Sequence, residues 1–198
     1  NVTATVKGLE PETAYEYRLC YKNGDEEILA DPVQFTTEKQ ITLYNGGFEN
    51  WYNSGKIAYP NETGVTFWDT SNPGGASFGG SNTTETTAVV HSGSKAAMLV
   101  SQYIVIKFAA ASLYTGKFGA LVGTSGAWLN WGVPFTSRPT ALKGYMQYAP
   151  KAINRVGTNL PAGTPREGEM DQCGMYCALL SESLVVDNTK MNEFPNFE

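Results

Sequence analysis

Alternation of apolar and polar positions marks the chain from its start. Tyr15, Tyr17, Leu19 and Tyr21 fall on one side of an extended segment and Glu16, Arg18 and Cys20 on the other, the period-two pattern of a half-buried strand. Residues 4–7 read as a short strand before it, Asn23-Gly24 as a tight turn after it, and Ile28-Leu29 and residues 33–37 as the return. A polar hinge, Glu38-Lys39-Gln40, leads into a second texture rich in Asn, Gly, Ser and Trp that opens at Ile41. Its strand candidates are residues 66–68, 96–101, 103–108, 127–131, 140–148 and 175–180. Only 109–113 and 187–191 suit a helical turn, and 70–87 (TSNPGGASFGGSNTTETT) reads as a long loop too small in side chain to pack. Nothing after 175–180 is expected to pair back across the sheet, and 192–198 do not read as a domain end, so closing strands are expected to be missing. The pattern predicts an all-β chain built as antiparallel sandwiches.

Composition narrows the function. Of 198 residues 17% are charged and 12% aromatic, with 21 Gly and 10 Pro, which agrees with strands joined by loops. A net charge of -5 excludes nucleic acid and an anionic membrane as partners, because both need a basic face. No apolar run is long enough to span a bilayer, and no signal peptide stands at Asn1. The single histidine, His91, excludes a His-built metal centre, and with no nucleophile elbow in the chain it reads as structural or exposed. The three cysteines read as small buried apolar residues, since Cys173 and Cys177 stand roughly 13 Å apart on a strand, too far for a disulfide.

Two resemblances add to this reading. Leu9, Pro11, Thr13 and Tyr15 resemble the tyrosine corner of immunoglobulin-like and fibronectin type III sandwiches, which implies that residues 1–38 are the C-terminal strands of such a domain. The chain then begins partway through a module, with any export signal upstream of Asn1. Residues 41–160 resemble the putative carbohydrate metabolism domain. The matching blocks are Asn45-Gly46-Gly47-Phe48-Glu49-Asn50-Trp51, Phe67-Trp68-Asp69-Thr70-Ser71-Asn72-Pro73-Gly74, His91-Ser92-Gly93-Ser94-Lys95-Ala96-Ala97, residues 107–116, and residues 131–139 leading into Ala141-Leu142-Lys143-Gly144-Tyr145. The first and third blocks, and the expected strand from Leu142 to Tyr148, are also similar to the opening of jelly-roll carbohydrate-binding modules of the galactose-binding-like class. The resemblance implies a jelly roll over 41–198, glycan handling by a polysaccharide-utilisation protein, and a place outside the cell or on its outer surface, lipid-anchored upstream, with the periplasm as the alternative. It also implies an optional structural Ca²⁺, held by Glu49 and by backbone oxygens of the turn from Ser92 to Lys95, although the closing-strand Asp such sites use is not visible.

A glycan site needs a ring for the sugar's C–H face and fixed polar groups for its hydroxyls. Trp68 and Asp69 with Asn72 and Asn82 offer that mixture, each Trp being otherwise a core residue; Trp51 after Phe48 is placed in the core. Trp128 and Trp131 lie three apart and so point to opposite faces of a strand, at least one of them to the core. Arg138 either clamps a sugar or ties down its own loop. The expected partner is a poly- or oligosaccharide, bound without catalysis and without a required cofactor. The rivals are a glycoside hydrolase using two of Asp69, Glu85, Glu167, Glu169 and Asp171, and a cell-surface adhesive or structural protein. Glu167, Glu169 and Asp171 would share one face of an extended segment, either as a wet surface or as oxygen ligands to Ca²⁺.

Overall fold

A computed structural model describes residues 3–76, 78–104, 107–137, 139–157 and 162–190. The fold is all-β and antiparallel, and it divides into two units, Asn1–Gly46 and Gly47–Glu198.

In the first unit, one ribbon doubles back at Gly24, whose φ of 62° suits the turn. Strand β1 (Ala14–Tyr17) pairs with β4 (Val33–Thr36), and β2 (Cys20–Asn23) with β3 (Glu26–Leu29), in the register Tyr15↔Phe35 and Asn23↔Glu26. The Tyr15 and Phe35 rings stack at 5.9 Å. The Tyr15 hydroxyl accepts the Glu10 backbone N–H at 2.8 Å, tying the start of the ribbon to the chain before it. Residues 4–7, expected as a strand, form none, and Val6 is exposed.

The second unit is organised by a four-stranded sheet. Its order is β14 (Leu184–Asp187), β13 (Gly126–Trp131), β12 (Leu113–Val122) and β7 (Trp68–Thr70). Two-stranded pairs accompany it: β5 (Tyr52–Ser54) with β6 (Ile57–Tyr59), β8 (Thr83–Thr86) with β9 (Ala96–Leu99), and β10 (Gln102–Ile104) with β11 (Lys107–Ala109). One face of the large sheet carries the apolar core: Ala127, Leu129 and Val186 are buried, and Tyr114 and Trp131 meet at 6.0 Å.

Several sequence expectations are corrected here. Residues 103–108 are not one strand but the hairpin β10–β11. Residues 109–113 form no helical turn; they lead into β12, the longest strand, whose alternation is obscured by Gly116 and Gly119. A β-bulge falls between Phe118 and Ala120, and a side chain at Gly119 would strike the Trp128 ring. Around 187 the chain is the end of β14, which pairs back onto β13, so the C-terminal region does return to the sheet. Residues 140–148 and 175–180 form no strand, and Tyr145, Met175 and Tyr176 are exposed. The segment 70–87, expected to be unpacked, holds the short helix α1 (Asn72–Gly75), β8 and the most buried polar residues. All three cysteines are free and exposed, the Cys20 thiol donating to Glu27 at 2.8 Å. Among the described residues no helix is long and apolar enough to cross a membrane.

Candidate functional site

The Trp68, Asp69, Asn72 and Asn82 set does come together, but as an internal polar layer. Asn72 is fully buried and uses all its hydrogen-bonding capacity within the fold. Its Nδ2 donates to the Ala58 and Thr83 carbonyls, both at 2.7 Å, and its Oδ1 accepts the Asn82 and Thr83 amides, both at 2.9 Å. It thereby stitches α1 to β6 and β8, a position a solvated loop residue does not hold. Asn61 acts similarly, its amide accepting the Trp68 N–H at 3.1 Å and donating to the Trp68 carbonyl at 2.7 Å, as a strand partner would. Asn82, also buried, accepts the Ser71 hydroxyl at 2.9 Å.

Asp69 sits in the same layer. Its carboxylate accepts the Phe118 N–H at 2.7 Å and the Thr70 N–H at 2.8 Å. Burial nevertheless holds its pKa above the ordinary carboxylate value, outweighing those bonds and the nearby Lys117 charge. The hydroxyls of Tyr59 and Tyr114 are also raised, first by burial and then by the Asp69 charge. Trp68 is half-buried against Phe48 and Phe67, at 5.3 and 5.4 Å. In this setting Asp69, Asn72 and Asn82 serve the fold and offer a sugar no surface. Trp51, expected in the core, is half-buried and donates from its ring N–H to the Phe48 carbonyl at 2.7 Å.

Trp128 and Trp131 point to opposite faces of β13, as their spacing requires. Trp131 faces Tyr114 on the core side; Trp128 is 39% exposed on the other. Across the sheet, Trp128 is level with Ala120 on β12 and Asp187 on β14, and Asn130 with Lys117 and Val185. Directly opposed residues share a face, so this outer surface sets one indole among Asn130, Lys117 and Asp187. The glycine bulge lets the ring lie close on the backbone of β12. Asp187 is fixed in turn: its Oδ1 accepts the Thr189 hydroxyl at 2.6 Å and the Thr189 N–H at 3.0 Å, and these bonds lower its pKa. The partners Lys117, Asn130 and Asp187 were not singled out in the sequence because the glycines of β12 hid that strand and residues 184–186 of β14 drew no assignment.

Glu49 meets the predicted turn. It accepts the Ser94 hydroxyl at 2.6 Å, the Ser94 N–H at 3.0 Å and the Lys95 N–H at 3.2 Å, and its pKa is depressed accordingly, the Ser94 hydroxyl contributing most. Gly93 has a φ of 76°, and a Cβ there would fall on the Glu49 carboxylate. The Lys95 ammonium pairs with Glu85 at 2.5 Å. The turn thus presents N–H donors to Glu49, the chemistry of a capped carboxylate. Among the described residues no group of three His, Cys, Asp or Glu side chains gathers.

The remaining acids are dispersed. Gly168, at a φ of 87°, turns the 167–171 run, so its three carboxylates do not share one extended face. Glu169 accepts the Arg166 N–H at 2.7 Å, and Asp171 accepts the Lys151 N–H at 2.6 Å. His91 stacks on Tyr145. Arg138 lies outside the described residues. No curated protein and no solved structure searched matches the chain. A family model, described as the putative carbohydrate metabolism domain, matches residues 38–194, well over half of the chain, and the protein belongs to that family.

Proposed function

We propose that the chain is a non-catalytic carbohydrate-binding unit, with the outer face of the large sheet as its platform. The observation that carries this reading is Trp128, an exposed indole seated on a glycine bulge, on a sheet face it shares with Asn130, Lys117 and Asp187 and with Ala120 and Val185. The ring takes the C–H face of a pyranose, and the flanking amide, ammonium and carboxylate meet its hydroxyls. Family membership supports a saccharide as the partner. The jelly-roll topology of the second unit, the fibronectin-like character of the first, and a position outside the cell belong to this same reading. Affinity per site is modest, because a free sugar is well hydrated.

The test is tryptophan fluorescence titration against a panel of neutral polysaccharides, with reducing-sugar release measured on the same samples. Saturable binding without release, reduced at least about tenfold in Trp128→Ala, is the expected result. Release that disappears on replacing a carboxylate would turn the reading to a hydrolase. Binding unchanged in Trp128→Ala would remove the platform.

A further inference from the structure

A second exposed aromatic surface lies on the β10–β11 hairpin. Tyr103 and Phe108 are directly opposed across it and therefore share a face, and they are 47% and 61% exposed. The guanidinium of Arg155 stands 4.1 Å from the centre of the Tyr103 ring. Among the described residues the ion pairs are Arg18 with Glu16 and Lys95 with Glu85, so Arg155 is held on a ring and no described carboxylate pairs with it. That is notable in a chain with 19 acids to 14 Lys and Arg. A guanidinium held on a ring is partly desolvated and positioned in advance, while the N–H donors at its edge keep the fork geometry that matches a planar carboxylate. Phe108 beside it supplies apolar surface for a sugar's C–H face.

We infer that Arg155, with Tyr103 and Phe108, forms a second saccharide subsite that takes the carboxylate of a uronic acid. The inference rests on the saccharide reading above but uses none of the Trp128 face, so the two fail separately. Binding of the full chain to polygalacturonate, to its methyl ester and to a sulfated galactan is measured at low salt by affinity electrophoresis, for wild type, Arg155→Gln, Arg155→Lys and Trp128→Ala. Wild type is expected to prefer polygalacturonate to both of the others. Arg155→Gln should weaken polygalacturonate binding about three- to tenfold, leaving the methyl ester unchanged. Arg155→Lys, which keeps the charge but loses the fork, should recover only part of this. Because Arg155 is exposed, equal thermal melting of the variants is expected and separates binding from folding. Equal binding of acid and ester by wild type, full retention in Arg155→Gln, or stronger binding of the sulfated galactan overturns the carboxylate subsite. Failure of Trp128→Ala to affect any ligand would instead overturn the first platform and leave Arg155 standing.

Discussion

At the scale of single residues, two carboxylates show opposite uses of the same group. Asp69 is buried and its folded pKa is raised, so its contribution to stability is full below the unfolded pKa and is lost as pH rises through the folded one. Glu49 is capped by hydrogen bonds and its folded pKa is depressed, so its contribution is present above the unfolded pKa and is lost as pH falls through the folded one. Asp69→Ala leaves the Phe118 and Thr70 amides without their acceptor, at a cost of about 1–3 kcal/mol. The linkage gives this variant a signature: its deficit relative to wild type widens as pH falls from neutral through the raised pKa of Asp69. For Glu49→Ala the deficit narrows on acidification. Urea unfolding of both variants at neutral and mildly acidic pH checks the signs, and parallel curves for the two would contradict the assigned roles.

At the scale of elements, glycines decide what was legible in the chain. The Asn23-Gly24 turn and the opposed directions of Trp128 and Trp131 could be read from residue types, because each rests on local backbone rules; the approach of Glu49 to the 92–95 turn, 45 positions away, followed only from the family resemblance. The strand β12 could not. Its bulge at Gly119 and the φ of 132° at Gly116 break the period-two pattern, and only pairing with β13 shows the element. Asn72 and Thr83 looked like loop residues because their partners are distant in sequence: those of the Asn72 amide lie 10 to 14 positions away and that of the Thr83 hydroxyl 29, which no local pattern reveals. Residues 140–148 failed in the other direction, since alternation without a neighbouring strand makes no ladder. Glycines with positive φ also differ in what surrounds them. Gly123, in the β12–β13 turn, has a φ of 54° and open space around it, so Gly123→Ala should cost about 1–2 kcal/mol. Gly93→Ala carries the same backbone strain and also drives a methyl group into the Glu49 carboxylate, so it should cost more. Thermal melting of the two variants side by side tests the ranking; equal losses would mean that Glu49 moves aside freely.

At the scale of the whole molecule, stability is concentrated where backbone amides are both paired and covered. In the second unit that place is the large sheet with its polar layer. Ala127, Leu129 and Val186 are buried, the Gly116 amide donates to the Phe67 carbonyl at 2.9 Å, and the Asn82, Thr83 and Phe118 amides end on buried side-chain oxygens. The Gly116 and Phe118 amides open when β12 parts from β7 and the residue before it, and the Asn82 and Thr83 amides when α1 leaves the start of β8; their hydrogen exchange is expected to report one shared, largest opening free energy. Residues 139–150 are the opposite case: they lie outside every strand, they are exposed throughout, and among the described residues their amides find no backbone acceptor. They should exchange at close to unprotected rates under conditions where β13 is still protected. The contrast also bears on function, because a ring can serve as a preformed platform only if the backbone beneath it stays closed. Trp128 stands on the slowly opening sheet, which gives it a fixed position to offer a sugar, whereas the Tyr145 ring, 80% exposed, belongs to the fast segment. Hydrogen exchange read by mass spectrometry, without ligand and then with a saccharide that binds, distinguishes the two cases. The β12–β13 peptides should be protected before ligand is added and change little on binding. Protection that appears there only with ligand would mean that the platform is assembled by the sugar and does not pre-exist.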